Sequence, residues 1–289
     1  MTDPIAPIGL IAGEGSLPIE IAAHLTRQGK QVSIIRLDGL AAQDLQDYPG
    51  IDLNIGHMGR AMDWLKDQAC TEVIFAGYIH RLDFSKLDLD AYGQSVLPRI
   101  ITAATDGDDA LMRAVIQIFQ DEGFNVQGAE TLYEALLCPA GVLTAQRPTT
   151  EDKADLDRAL HIARLMGAED IGQGCVVCAG LVLAVEAQEG TDHMLHRITE
   201  LPLTVRGTLS HRRGVLVKCA KPDQERRVDL PVIGPETIAK ASAAGLCGIG
   251  LEAGSSLILD REATIEAANQ AGLFIIGLEA SASPSSDMS

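Results

Sequence analysis

A chain of 289 residues with 46% hydrophobic side chains holds enough apolar material for a sizeable core, and with 3% aromatics that core is mainly aliphatic. Forty acidic against 23 basic residues leave a formal charge of −17, which argues against broad nucleic-acid binding or electrostatic attachment to an anionic bilayer, since both need a basic footprint. No basic-then-apolar leader opens the chain and no apolar run reaches about 18 residues. The six scattered cysteines suit reduced thiols, so the sequence reads as a soluble cytoplasmic globular protein of one or two domains.

In chain order, "IGLIA" (8–12) reads as a short buried strand, "GEGSLP" as its turn, and "IEIAAHLTRQGK" (19–30) as a helix stopped at Gly29. "QVSIIRL" (31–37) is the next strand, and the unit is parallel and right-handed. "TEVIFAG" (71–77) and "NVQGAETL" (125–132) predict further strands. "GDDALMRAVIQIFQDEGF" (107–124) predicts a helix with Gly107 or Asp108 near its cap and Gly123 as its stop. A polar, proline-containing stretch then sets a linker at 143–155 between an N-terminal α/β domain (1–142) and a C-terminal one (156–280). A tail at 281–289 reads as disordered.

Within the second domain come a helix in "KADLDRALHIARLMG" (153–167) and a strand pair in "QGCVVCAGLVLAVEA" turned near Ala179 and Gly180. A strand follows at 214–220, then a helix at 234–248 with Pro235 just inside its start. Strand, helix and strand fill 249–280. No internal repeat is present. The fold class is α/β in two domains, a Rossmann-like strand-helix-strand domain followed by a mixed α/β domain, with the interdomain cleft as the expected ligand site.

"GEGSLP" places Gly13, Gly15 and Ser16 where backbone N–H groups face an anion at a helix N-terminus. Pro18 stands where the dinucleotide fingerprint wants its third glycine, which weakens an NAD reading even though Asp38 lies at a ribose acid's spacing. Cys175 and Cys178 would point to opposite faces of a strand, and no second pair completes a zinc set; they read as buried structural thiols. His193 and His196 lack the H-E-x-x-H spacing and read as surface residues.

Thr191 suits a helix N-cap and Asp192 a first-turn acid. Glu186 and Glu189, at a strand end and in a glycine-containing loop, are oxygen donors of the kind Mg²⁺ takes alongside substrate phosphate. From Arg206 to Arg227 there are seven basic residues, Arg206, Arg212, Arg213, Lys218, Lys221, Arg226 and Arg227, against only Asp223 and Glu225. This local reversal of charge fits either a phosphate pocket or a solvated face. Beside a bound phosphate, Asp229 would be repelled unless it held a metal or took a proton. Of Asp106, Asp108 and Asp109, helix capping explains one. The Walker phosphate loop, the G-x-S-x-G elbow, the metallophosphoesterase set and the Nudix box are all missing.

Taken together, "GLIAGEGSLP", "GDDALMR", "EAQEGTD", "VKCAKP" and "RVDLP" resemble the LpxI family, the UDP-2,3-diacylglucosamine pyrophosphatases of lipid A biosynthesis, over Ile8 to Gly277. The resemblance implies Mg²⁺-dependent hydrolysis of the diphosphate of UDP-2,3-diacylglucosamine to UMP and 2,3-diacylglucosamine 1-phosphate (lipid X), with the substrate held between two domains. Members work on the cytoplasmic face of the Gram-negative inner membrane. Lys218, Lys221, Arg227 and Asp229 are then expected to be catalytic, with Glu186, Glu189 and Asp192 on the metal. Gly13, Gly15, Ser16, Gly77, Asp108, Asp109, Gln173, Thr191 and Gln224 are expected at the substrate.

Glu225 stands where many members have aspartate, and Tyr78 in "GYIHR" departs from the family pattern. A homo-oligomer and a transient contact with inner-membrane lipid are both compatible with the sequence. The rival readings are an NAD-dependent oxidoreductase and a non-catalytic carrier of acylated sugar nucleotides.

Overall fold

The computed structural model describes residues 6–79, 83–221, 225, 227 and 230–279. They fall into two units, residues 1–135 with 224–229, and residues 136–223 with 230–289. Elements are numbered in chain order.

In the first unit β1 (Ile8–Ala12), α1 (Leu17–Arg27), β2 (Val32–Leu37), β3 (Gly50–Leu53), α2 (Met58–Asp67), β4 (Glu72–Ala76), α3 (Ala91–Thr105), α4 (Asp108–Asp121), β5 (Asn125–Gln127) and the short α5 (Ala129–Leu132) follow one another. The sheet is all parallel, in the order β3-β2-β1-β4-β5. Every residue of β1 and β2 is buried, as parallel strands covered on both faces require. Gly9 lets the sheet be packed closely: a Cβ there would stand 2.6 Å from Leu65 of α2. On that side Ile11, Ile35, Leu65, Val73, Ile116 and Phe119 share one apolar cluster.

The second unit runs β6 (Gly141–Val142), α6 (Thr150–Ala168), β7 (Gly174–Cys178), β8 (Leu181–Val185), α7 (Gly190–Thr199), β9 (Val215–Lys218), β10 (Val232–Ile233), α8 (Pro235–Ala243), β11 (Gly248–Glu252), β12 (Leu257–Ile258), α9 (Arg261–Ala271) and β13 (Phe274–Leu278). Its six-stranded sheet has the order β6-β13-β11-β9-β7-β8, and β10 and β12 pair separately. β9, β11 and β13 are parallel, whereas β7 is antiparallel to both β8 and β9. One apolar cluster joins this sheet to α7, α8 and α9; another joins its opposite face to α6 through Leu156, Ala159 and Ala163.

Several expected boundaries change. The stretch 125–132 is a strand only to Gln127 and then turns into α5. The units part after Ala135, ahead of the expected linker. α6 begins inside that linker, at Thr150, because Thr149 and Asp152 close a reciprocal capping box. β3, α2 and α3 were not anticipated from the sequence. Cys175 and Cys178 are buried free thiols, as expected.

Candidate active site

In the first unit the strand order reverses between β1 and β4, and in open α/β sheets ligands bind outside the carboxyl ends of strands at such a switch point. The two loops leaving those ends are joined. Glu14 donates its N–H to the Tyr78 carbonyl and Tyr78 returns one to Glu14, each at 2.9 Å. Only glycine fits the junction: a Cβ on Gly13 would lie 2.7 Å from the Tyr78 carbonyl oxygen, and Gly77, at φ +94°, would meet the Glu14 oxygen at 2.6 Å. Gly13, Gly15, Ser16 and Gly77 thus share one strand-end surface, although Pro18 removes a donor from the first turn of α1.

α4 begins with Asp108 and Asp109 after Gly107 at φ +120°. Asp109 Oδ1 accepts the backbone N–H of Glu225 at 2.6 Å, and the same carboxylate pairs with Arg113. This ties Glu225 to the first turn of α4. The Glu225 carboxylate receives two hydrogen bonds at 2.7 Å from Arg227. That guanidinium holds the Glu225 carboxyl below its ordinary value against the opposing effect of burial, and Arg227 is raised in return.

The second unit builds its site at one end of the sheet. Gly174 is paired with Lys218 of β9 on one side, and on the other it accepts the N–H of Glu186 at 2.8 Å. The three residues lie in a row on one face. Glu186 and Lys218 are both buried, with Glu186 Oε2 3.9 Å from the ammonium. Thr191 bridges them: its hydroxyl donates to Glu186 Oε1 at 2.7 Å and accepts from Lys218 Nζ at 2.6 Å. Lys218 also donates to the Val232 carbonyl at 3.4 Å. Its ammonium therefore faces inward. Glu186 Oε2 and Gln173 Oε1 are buried without a donor among the described residues, but strand alternation sends Gln173 to the opposite face. Lys221 leaves the same sheet end and donates to Asp170 Oδ1 at 2.7 Å.

Models of the LpxI N-terminal domain and the LpxI C-terminal domain match residues 7–136 and 139–276. A UDP-2,3-diacylglucosamine pyrophosphatase LpxI from Caulobacter vibrioides is 50% identical over 258 residues, covering 89% of this chain and 92% of that one. The chain belongs to the LpxI family. Among solved structures, the UDP-glucose-4-epimerase of Stenotrophomonas maltophila with bound NAD and formylated UDP-arabinopyranose aligns with a TM-score of 0.28 at 12% identity, covering 55% of this chain and 62% of that one. A likeness that slight carries no argument.

For this LpxI chain, the three carboxylates expected on a metal do not converge. Glu189 pairs with Arg197, Asp192 with Lys240, and Glu186 faces Lys218 through Thr191. Among the described residues no three His, Cys, Asp or Glu side chains gather as a metal site. A cation bound at Glu186 Oε2 would also sit beside the Lys218 ammonium. The set Glu186, Glu189 and Asp192 therefore does not fit a preformed Mg²⁺ centre.

Thr191 is not the N-cap of α7. Glu189 holds that position, and the threonine hydroxyl serves the Glu186–Lys218 pair instead. His193 sits at the surface with Nδ1 3.0 Å from the Glu189 carbonyl, and His196 is exposed beside Glu200. Gln224 and Asp229 lie outside the described residues. Gly174, Asp170 and Lys240 escaped sequence reasoning. Gly174 carried one usable signal, a glycine at the start of an apolar strand, which often marks a close approach.

Proposed function

We propose that this chain hydrolyses the diphosphate of UDP-2,3-diacylglucosamine, releasing UMP and 2,3-diacylglucosamine 1-phosphate (lipid X), as a cytoplasmic enzyme of lipid A biosynthesis. The observation that carries the reading is the 50% identity, over nearly its whole length, to a protein named for that activity. The β1–β4 switch point suits the nucleotide diphosphate, since Gly15 and the N-terminus of α1 follow directly on β1 there. Lys221 supplies positive charge at the end of the second sheet, where it would stabilise charge spreading over the phosphoryl oxygens in the transition state. Lys218 acts from beneath, fixing Glu186 and the first turn of α7 through Thr191. Arg227 is paired with Glu225 and so offers less net charge than the sequence suggested. Asp229 is assigned by its place in "RVDLP" as the general base that takes a proton from the attacking water.

A requirement for Mg²⁺ belongs to this proposal as a property to be tested. The donor set gives it no preformed centre, so no step is routed through it. The test is incubation of the purified protein with UDP-2,3-diacylglucosamine in ¹⁸O-water, with Mg²⁺ or with EDTA, and mass spectrometry of the products. UMP and lipid X are expected, and the label identifies the phosphorus that water attacks. Intact substrate under both conditions would sink the hydrolase, and bound lipid recovered with the protein would then favour a carrier.

A further inference from the structure

We propose that Asp170 is a positioning residue that aims Lys221 at the diphosphate. The inference rests on the hydrolase reading above and adds a residue that was not among the expected site residues.

α6 ends at Ala168, and two residues later Asp170 takes φ +52°, the left-handed conformation that closes helix ends. Its N–H donates to the Gly167 carbonyl at 3.1 Å, and the next N–H, of Ile171, donates to the Met166 carbonyl at 3.0 Å. The turn is thus locked by backbone before the side chain does anything. Three residues further on, Gln173 accepts the N–H of Cys219. The same short connection therefore reaches the sheet end that carries Glu186 and Lys218.

Lys221 passes directly over this helix end. A Cβ on Gly167 would stand 3.3 Å from Lys221 Cα and 3.4 Å from its Cγ, so the glycine makes room for the lysine stem. The ammonium then reaches Asp170 Oδ1 at 2.7 Å, with the lysine side chain 13% exposed and the aspartate 35% exposed. A cation at a helix C-terminus is favoured by the helix dipole as well. Stem, backbone and carboxylate all hold one lysine conformer, and the more exposed partner is the carboxylate. That arrangement orders a flexible four-carbon side chain before substrate arrives. Preorganised charge is what makes such a group useful in a transition state.

The variants D170N and D170G separate side chain from backbone, because asparagine and glycine both tolerate φ near +52° while neither carries the charge. Hydrolysis of UDP-2,3-diacylglucosamine is measured for both, for K221M and for D170N/K221M, together with their melting temperatures. D170N and D170G are expected to lower kcat about tenfold or more with little change in KM and unchanged melting. The double variant is expected to be no slower than K221M, since both changes remove one function. Wild-type kcat in D170N and D170G, or losses that multiply in the double variant, would overturn the proposal. A fully active K221M would overturn it differently, by removing Lys221 from the chemistry while the hydrolase reading stands. A wild-type chain that turns over no substrate would bring down both.

Discussion

Glu186, just past β8, and Lys218 of β9 face each other across Gly174, which puts no side chain of its own between them. A Cβ on Gly174 would lie 2.4 Å from Glu186 Oε2 and 3.2 Å from Glu186 Cβ. Nothing in the backbone forbids alanine there, because Gly174 is not among the residues at positive φ. The clash is therefore with the buried Glu186 side chain, its carboxylate above all. Gly174→Ala is expected to destabilise the fold by about 1–3 kcal/mol, as overpacking does, and to slow hydrolysis. Urea unfolding and steady-state kinetics check this; wild-type values in both would show that the row is not under the constraint described.

The Thr191 hydroxyl hydrogen-bonds both of those charges. Thr191→Val keeps the shape and removes both hydrogen bonds, leaving the Lys218 donor and Glu186 Oε1 without it in a buried setting. A cost of about 1–3 kcal/mol follows from unsatisfied burial. Thr191→Ser keeps the hydroxyl and is expected to stay close to wild type. Equal loss in serine and valine would shift the cause from the hydroxyl to the methyl.

Asp155 works far from the chemistry. It is a buried carboxylate on α6 that accepts the N–H groups of Ala179 and Gly180 at 2.8 and 2.7 Å, at the turn joining β7 to β8. Ala179 is held at φ +50° and Gly180 at +77°, so the turn costs conformational freedom that the two charged hydrogen bonds offset. Asp155→Ala is expected to lower stability by about 2 kcal/mol, with KM unchanged. Equilibrium denaturation reads the first quantity and kinetics the second, and an unaltered midpoint would mean the turn holds itself.

Much of this fold is legible in the residue pattern alone. "IGLIA" and "VSIIRL" are short apolar runs between turn residues, and they are the two fully buried strands of the first sheet. The β7–β8 hairpin is readable from Ala179-Gly180. α3 is not, since Gly93 and Pro98 interrupt its pattern and its N-cap, Asp90, is one of two aspartates in "LDLDAY". β3 is four residues long and largely exposed, too short for alternation to show. At the site, the charges themselves can be read but their partners cannot. The Glu225 N–H meets Asp109 across 116 positions. Thr191 looks like an ordinary helix cap because its local sequence suits one; the long-range demand of Lys218 overrides that preference.

Burial also sets the thiols apart. It pushes Cys138 up to about 11, and Cys175 and Cys219 up to about 12, from an ordinary value of 9.0. Thiolate is the reactive form, so these three are expected to resist a disulfide reagent at pH 8 until guanidinium unfolds the chain. The linkage has a definite sign. Folded values above the unfolded value mean that the native state binds more protons between about pH 9 and 12. Their contribution is present below pH 9 and is lost as pH rises through that window. Rapid labelling of all six cysteines in the native protein would contradict the packing.

The separation of the three acidic residues leads to the sharpest test of the metal expectation. Glu189 and Asp192 each hold a cation of their own chain, Arg197 and Lys240, and their side chains are at least partly exposed. Glu186 alone is buried at the sheet end with an oxygen that lacks a donor among the described residues. If Mg²⁺ supports turnover, the described residues offer it few ligands and the diphosphate and water are expected to supply most of them, which is a common arrangement for this ion. Glu189→Gln and Asp192→Asn are expected to keep kcat within about threefold, in line with the small worth of exposed pairs, and to leave the Mg²⁺ concentration for half-activation unchanged. Glu186→Gln is expected to lose far more, because it breaks the buried network that holds Lys218 and Thr191. Titrating each variant with Mg²⁺ after EDTA treatment separates the cases. A large rightward shift of half-activation in Glu189→Gln or Asp192→Asn would mean that those carboxylates leave their arginine and lysine partners to bind the ion, and that the three acids come together in the working enzyme.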